Sequence, residues 1–148
     1  MNVPIRILSV DDHPTWREGV AAVLGREKNM TLVAEASNGC EAIHQFRQHR
    51  PDVTLMDLQM PVMNGHDAIR AIRKDFPDAR IIVLTTYSDD EQTRRALEAG
   101  ASRYLLKSVV RKKLIETIQS VHTGRSWISN EAMFSRNLNP SKVLSKYG

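Results

Sequence analysis

Residues 53–65 read VTLMDLQMPVMNG, and this stretch decides the fold. Its first four residues form a short apolar run between polar residues, which is typical of a strand buried in a parallel sheet. Asp57 follows the run directly, and Met60-Pro61 then marks a loop. The stretch therefore predicts a buried strand that presents a carboxylate where it ends.

Three further runs have the same character and also end in polar residues. They are residues 5–10 (IRILSV), 80–85 (RIIVLT) and 103–106 (RYLL). Asp11 and Asp12 follow the first run. Thr85 ends the second, and Lys107 follows the third. The carboxyl ends of parallel strands meet at one edge of a sheet, so we expect these side chains to converge with Asp57. Three carboxylates, a hydroxyl and an ammonium group at one edge indicate a magnesium and phosphoryl site.

Helical patterns alternate with the strands along the chain. A fifth strand is predicted at residues 31–36, and the helices at residues 14–25, 38–50, 67–75, 90–99 and 109–122. Five strands alternating with five helices predict an α/β protein with a five-stranded parallel sheet covered on both faces. Right-handed crossovers then favour the strand order 2-1-3-4-5, a flavodoxin-like doubly wound (βα)5 fold.

Composition narrows the class of protein. The chain of 148 residues has the size of one domain with a short extension. Its single cysteine, Cys40, excludes an internal disulfide and a multi-cysteine metal site. No apolar run has the length of a membrane span, so we expect a cytoplasmic protein without a membrane partner. Residues 1–123 hold 17 basic and 16 acidic residues, so most of the net charge of +4 lies in the tail.

Taken in order, these motifs resemble a receiver domain, the phosphoacceptor module of bacterial two-component response regulators. The resemblance covers about residues 4–123 and rests on four motifs: Asp11-Asp12, DLQMPVMNG at residues 57–65, Thr85, and YLLK at residues 104–107. The segments DHP at 12–14 and AGASRYLLK at 99–107 are similar to the NarL/FixJ branch. That branch usually carries a LuxR-type helix-turn-helix after its receiver.

The domain organisation follows from this resemblance. We expect a receiver domain at residues 1–123 and a linker or C-terminal extension at residues 124–148, with no complete output domain. The chain is then either a fragment cut in the linker or a receiver without its own DNA-binding domain, and we favour the fragment. DNA contact would occur only through an output domain that this chain does not contain.

The resemblance implies a role for each acidic residue. Asp57 is the phosphoacceptor, since a carboxylate can attack phosphorus and hold the group as an acyl phosphate. Asp11, Asp12 and Asp57, with the backbone carbonyl of Gln59, bind Mg²⁺ or Mn²⁺. Clustered carboxylates repel one another, and a hard divalent cation removes that cost. Because Mg²⁺ prefers oxygen ligands, His13 is interpreted as a loop residue and not as a ligand.

The remaining site residues belong to phosphoryl binding and switching. Lys107 is expected to pair with the phosphoryl group, and with Asp57 before phosphorylation. Thr85 hydrogen-bonds a phosphoryl oxygen, and Tyr104 then swings inward. Thr86 crowds the phosphoryl group where many relatives carry a smaller residue.

The implied function is a switch in signal transduction. A sensor histidine kinase donates the phosphoryl group, phosphorylated copies form a homodimer, and the output is transcription. The protein is not an enzyme in the usual sense, because it only loses its own phosphoryl group slowly.

Other classes of protein stay open at this point. A stand-alone receiver could act by protein–protein interaction, or a receiver could bind partners without accepting phosphate. A magnesium-dependent haloacid-dehalogenase-type phosphatase expects a second acid two residues after its nucleophile on the first loop, where this chain has His13. A flavodoxin expects a first loop rich in Ser, Thr and Gly, whereas this loop is acidic.

Overall fold

The computed structural model describes residues 3–86 and 90–124. The strands are β1 (Ile5–Val10), β2 (Met30–Ala36), β3 (Val53–Asp57), β4 (Ile81–Thr85) and β5 (Arg103–Leu106). The helices are α1 (Pro14–Gly25), α2 (Gly39–His49), α3 (Gly65–Asp75), α4 (Asp90–Ala99) and α5 (Val110–His122). No helix in these two described ranges combines the length and the apolar character that a membrane crossing requires.

The strands form one parallel sheet in the order β2-β1-β3-β4-β5, which confirms the predicted fold class and topology. The order reverses between β1 and β3, so this pair flanks the switch point at which ligands bind in such sheets. Because β1 and β3 are neighbours, the acidic residues after each of them are brought to the same place.

Local signals explain where the element bounds differ from the predicted ones. Helix α3 begins at Gly65, two residues earlier than predicted, because the Asn64 side chain accepts a hydrogen bond from the Asp67 amide at 2.9 Å and caps the helix. Helix α5 begins one residue later than predicted, because Lys107–Val109 form a short 3-10 turn. Strand β3 extends through Asp57, so that carboxylate belongs to the strand itself.

Apolar side chains fill both faces of the sheet. One face packs under α2 and α3, with Leu8 and Met56 buried, and the other packs under α1 and α5, with Ile7 and Leu55 buried. Burial on both faces favours near-continuous apolar runs, and β3 and β4, which are buried at every position, are the clearest examples. The helical spacing of four apolar residues predicts a core face for α5, and all four of them are buried: Val110, Leu114, Ile118 and Val121.

Candidate functional site

The register of the sheet brings the first two carboxylates together. Val10 of β1 pairs with Met56 of β3, so Asp11 and Asp57 are the next residues on two adjacent strands. Both carboxylates are buried, with residue exposures of 1% for Asp11 and 6% for Asp57. The sheet therefore holds two ionisable groups side by side, out of bulk water.

The next two strands carry the hydroxyl and the ammonium group to the same edge. Asp57 pairs with Leu84 of β4, which directly precedes Thr85. Thr85 pairs in turn with Leu106 of β5, which precedes Lys107. Thr85 is buried, and Lys107 is half-buried. The convergence expected from the strand ends is thus present in the backbone register.

Four residues form a compact cluster of potential metal ligands. One ligand atom from each of Asp11, Asp12, His13 and Asp57 lies within 4.8 Å of the others. Oδ1 of Asp12 is buried and, apart from an ion-pair contact with His13, has no hydrogen-bond partner among the residues that the structure describes. A buried carboxylate oxygen without a hydrogen bond is costly, and a cation would stabilise it. The cluster could hold a metal ion, and its carboxylate oxygens suit a hard cation such as Mg²⁺.

His13 lies against two of these carboxylates. Its Nδ1 is 2.9 Å from Asp11 Oδ1 and 3.2 Å from Asp12 Oδ1, and its backbone amide donates to the same Asp11 oxygen at 2.9 Å. The hydrogen bond to Asp11 and the charge of Asp12 raise the pKa of this exposed histidine. The ring therefore lies at the edge of the cluster, where its protonated form would partly offset the negative charge.

Lys107 bridges two of the carboxylates. Its Nζ donates to Asp11 Oδ2 at 2.5 Å and lies 3.5 Å from Asp57 Oδ1. The ion pair expected with Asp57 is present, but the shorter contact is to Asp11. Lys107 opens the 3-10 turn after β5, and from there its ammonium group lies between the two acids.

An aromatic ring also contacts the ammonium group. Nζ of Lys107 lies 4.7 Å from the centre of the Trp16 ring, within the range of a cation–π interaction. The helical periodicity of α1 predicts Trp16 as a core residue, and it does pack against the core under α1 and α5. Its contact with Lys107 was not predicted, because no local sequence signal links a helix residue to a lysine so far along the chain.

Arg17 ties the start of α1 to the acidic loop and was also not predicted at the site. Its Nη1 donates to the Asp11 backbone carbonyl at 2.5 Å, and its Nε donates to Glu35 Oε1 at 3.0 Å. The first turn of α1 is thereby held against the loop that carries Asp11. The sequence gives no sign of this contact with Asp11, because an arginine four residues after an N-terminal cap position is a common pattern.

Asp57 has the most perturbed electrostatics of the cluster. Burial and the neighbouring charge of Asp11 raise its pKa to about 6, and the positive charge of Lys107 opposes the increase. The negative form of Asp57 is therefore disfavoured in the metal-free protein. A cation placed beside it would lower the pKa again.

The other predicted site residues lie around this cluster. Thr86 follows β4 and is exposed, and Tyr104 lies in β5 with 36% of its surface exposed. Gln59 follows Asp57 by two residues, with an exposed side chain. The cluster of close contacts thus contains Asp11, Asp12, Asp57 and Lys107, with Thr85 adjacent in the register.

The loop between β3 and α3 returns sharply to the end of β3. The Gly65 amide donates to the Leu58 carbonyl at 2.8 Å, and a Cβ at Gly65 would lie 2.2 Å from the Asp57 carbonyl oxygen. Only glycine permits this approach. Val62 at the tip has φ of 69° and is 80% exposed. The loop is therefore packed against the backbone of Asp57 itself.

A doubly wound sheet in this order, with clustered carboxylates at the switch point, is the architecture of a receiver domain. Residues 7–119 match the family model described as the response regulator receiver domain, and the chain belongs to that family.

Known relatives are of the same kind. The transcriptional regulatory protein YhcZ of Bacillus subtilis (strain 168) is 40% identical over 129 residues, which is 87% of this chain and 60% of the relative. This chain therefore spans about three fifths of that relative's length. A solved two-component response regulator of the LuxR family from Aurantimonas sp. SI85-9A1 is 38% identical with a TM-score of 0.79, over 82% of this chain and 87% of that one. The receiver domain of the response regulator NarL from Mycobacterium tuberculosis is 31% identical with a TM-score of 0.79, over 83% and 99%.

Proposed function

We propose that this protein is a cytoplasmic phosphoacceptor switch, in which Asp57 takes a phosphoryl group from a sensor histidine kinase. The observation that carries the proposal is the environment of Asp57. Its buried carboxylate shares a cluster of ligand atoms within 4.8 Å with two other acids, and the Lys107 ammonium lies 3.5 Å away. A nucleophile, a cation site and a fixed positive charge are the parts that phosphoryl transfer to a carboxylate needs.

The chemical step is a displacement at phosphorus. An oxygen of Asp57 forms a bond to phosphorus while the bond from phosphorus to the kinase imidazole nitrogen breaks, and that nitrogen keeps the electron pair. Because the other ring nitrogen of the phosphohistidine carries a proton, the products are an acyl phosphate on Asp57 and a neutral histidine on the kinase. The Lys107 ammonium stabilises the negative charge of the transferred group, and the Thr85 hydroxyl donates a hydrogen bond to one of its oxygens.

The three carboxylates and the Gln59 backbone carbonyl would hold Mg²⁺ or Mn²⁺. When bound, the ion would supply positive charge that offsets the acidic cluster and the transferred phosphoryl oxygens. The raised pKa of Asp57, about 6, still leaves this carboxylate mostly ionised at neutral pH, as a nucleophile must be.

The output follows from the added charge. Phosphorylation adds nearly two negative charges at the sheet edge, and Thr85 and Lys107 have better partners in one arrangement of the region around β4 and β5. Tyr104 would move inward, and Thr86 would limit access to the phosphoryl group. We propose a homodimer as the active form and transcription as the output, through a DNA-binding domain beyond residues 1–123. The similarity to transcriptional regulatory proteins supports this choice over a stand-alone receiver.

Incubation with acetyl phosphate and Mg²⁺, followed by intact-mass measurement, tests the proposal. We expect one phosphoryl adduct per chain, which EDTA prevents and Asp57→Asn abolishes. Asp75→Asn removes an exposed carboxylate in an ion pair with Arg47 and should keep the adduct. An adduct that survives in Asp57→Asn would overturn the assignment. Steady turnover of a phosphorylated metabolite, without an adduct that accumulates on the protein, would favour the phosphatase instead.

A further inference from the structure

The Lys107 ammonium lies between two acids and an aromatic ring. It is 2.5 Å from Asp11 Oδ2, 3.5 Å from Asp57 Oδ1 and 4.7 Å from the centre of the Trp16 ring. We propose that Trp16 is a positioning residue that holds the ammonium group against Asp11, and that it thereby sets how tightly the acidic cluster binds a divalent cation. This inference deepens the proposed function and rests on it for its biological meaning.

The surroundings of the ammonium group make the ring contact effective. The Lys107 side chain is only 13% exposed, and the side chain of Asp11 is 2% exposed. A cation attracted to an aromatic face gains more where water is excluded. The indole ring therefore replaces part of the hydration that the ammonium group loses on burial.

The ring itself is held in place by α1. Trp16 lies in the first turn of that helix and packs against the apolar core under α1 and α5. Arg17, the next residue, donates to the Asp11 backbone carbonyl and links this turn to the acidic loop. The distance between the ring and Asp11 is thus set by the backbone, and the ammonium group fits between them.

The ammonium group and a divalent cation compete for the same carboxylate. Asp11 contributes an oxygen to the potential ligand cluster, and its Oδ2 pairs with Lys107. Two cations on one carboxylate repel each other, so binding of the ion displaces or weakens the Lys107 contact. The ring stabilises Lys107 in its Asp11-bound position. Loss of the ring therefore favours the ion-bound arrangement, by the reciprocity of linked equilibria.

Magnesium titration by calorimetry, without any phosphodonor, tests this role. We expect Trp16→Leu to bind Mg²⁺ about two- to five-fold more tightly than the parent protein, as the loss of a partly exposed cation–π contact implies. Trp16→Phe keeps an aromatic face, so its Mg²⁺ affinity should be closer to that of the parent protein. Equal shifts in the two variants would indicate a packing effect and overturn the inference, as would unchanged or weaker binding in Trp16→Leu.

A spectroscopic measurement tests the same idea in a chain that keeps Trp16. The sequence has two tryptophans, so Trp127→Phe leaves Trp16 as the only source of tryptophan fluorescence. In this background, Mg²⁺ should change the emission as the ammonium group leaves the ring. Lys107→Met should abolish the change, while calorimetry still detects Mg²⁺ binding. An emission change that persists in Lys107→Met would overturn the inference, even if Trp16→Leu failed to fold.

The two proposals fail in different ways. If the parent protein takes up a phosphoryl group on Asp57 but the Trp16 variants titrate like the parent, only the positioning role is wrong. If the Mg²⁺ titrations behave as expected but no phosphoryl adduct forms, the phosphoacceptor function is wrong and the role of Trp16 stands.

Discussion

Lys107 donates to Asp11 at 2.5 Å, although the two residues are 96 positions apart in the chain. The ammonium group is 3.5 Å from Asp57, the residue that we propose as the nucleophile. The shortest contact of the Lys107 ammonium group is therefore made to Asp11, and not to the proposed nucleophile. Asp57 is left with a buried carboxylate whose charge is only partly compensated, which is consistent with its raised pKa of about 6.

Asp57→Asn should stabilise the metal-free protein. The folded pKa of about 6 lies above the ordinary value of 3.8, so the folded state holds this proton more tightly than the unfolded state. Stability from this group is full below about pH 4 and is lost as the pH rises to about 6. After allowance for solvent screening, we expect the variant to be more stable by about 1–2 kcal/mol at pH 8.

Urea unfolding in EDTA at pH 8 and pH 5 measures this difference. The extra unfolding free energy of Asp57→Asn over the wild type should fall by about half at pH 5, because Asp57 is then largely protonated in the folded wild type. Asp75→Asn, at an exposed position, should show no such trend. A stability difference that does not vary with pH would contradict the assigned cause.

His66→Leu should make the protein less sensitive to acid. His66 is 5% exposed, and its Nε2 lies 3.4 Å from the Gln92 carbonyl at the start of α4. Burial lowers its pKa, and the positive charges of Arg95 and Arg70 lower it further, against the opposing charge of Asp67. The unfolded state therefore takes up the proton first, and stability falls as the pH drops below about 6.5.

Unfolding free energies at pH 7 and pH 5, measured in urea, compare the wild type with His66→Leu. The loss of stability over this interval should be smaller in the variant. His44→Leu removes an exposed histidine of α2 and should keep the wild-type loss. If both variants lose as much stability as the wild type, burial of His66 does not govern the acid response.

Gly65→Ala should destabilise the protein by more than about 2 kcal/mol, or prevent folding. The added Cβ would lie 2.2 Å from the Asp57 carbonyl oxygen, which belongs to a buried strand and cannot move aside. Gly19→Ala is the matched control within α1. No heavy atom of the described residues lies within 4 Å of a Cβ there, so alanine should stabilise the helix by about 0.5–1 kcal/mol. Thermal unfolding of both variants gives the comparison, and a mild effect at Gly65 would contradict the close approach.

Val62→Gly should stabilise the protein slightly, by about 0.5–1 kcal/mol. A β-branched residue with φ of 69° is strained, and glycine adopts this backbone conformation freely. The gain is limited because glycine also makes the unfolded chain more flexible. Val62→Thr keeps the branch at Cβ and should leave the urea midpoint unchanged. Loss of stability in Val62→Gly would show that the turn is not strained.

Much of the fold follows from local patterns. The bounds of β1, α1, α4 and β5 agree with the predicted ones, since β1 and β5 end where polar residues follow and the two helices end at Gly25 and before Gly100. The start of α3 lies two residues before the predicted one, because the side chain of Asn64 caps the helix, whereas Asn-Gly in a sequence is typical of a turn. The predicted roles of Thr86 and Tyr104 stay predictions, and the tail from residue 125 lies outside the described residues.

The amino-acid sequence by itself determined the strand order and the convergence of Asp11, Asp57 and Lys107 at one edge. Both follow from short-range periodicity and from the handedness of crossovers, which act on any chain with this pattern. Only the tertiary structure decided that Lys107 lies closer to Asp11 than to Asp57, with Trp16 beneath it. Such choices depend on ångström-scale differences between side chains from distant elements, and these appear only once α1 and the turn after β5 are packed on the sheet.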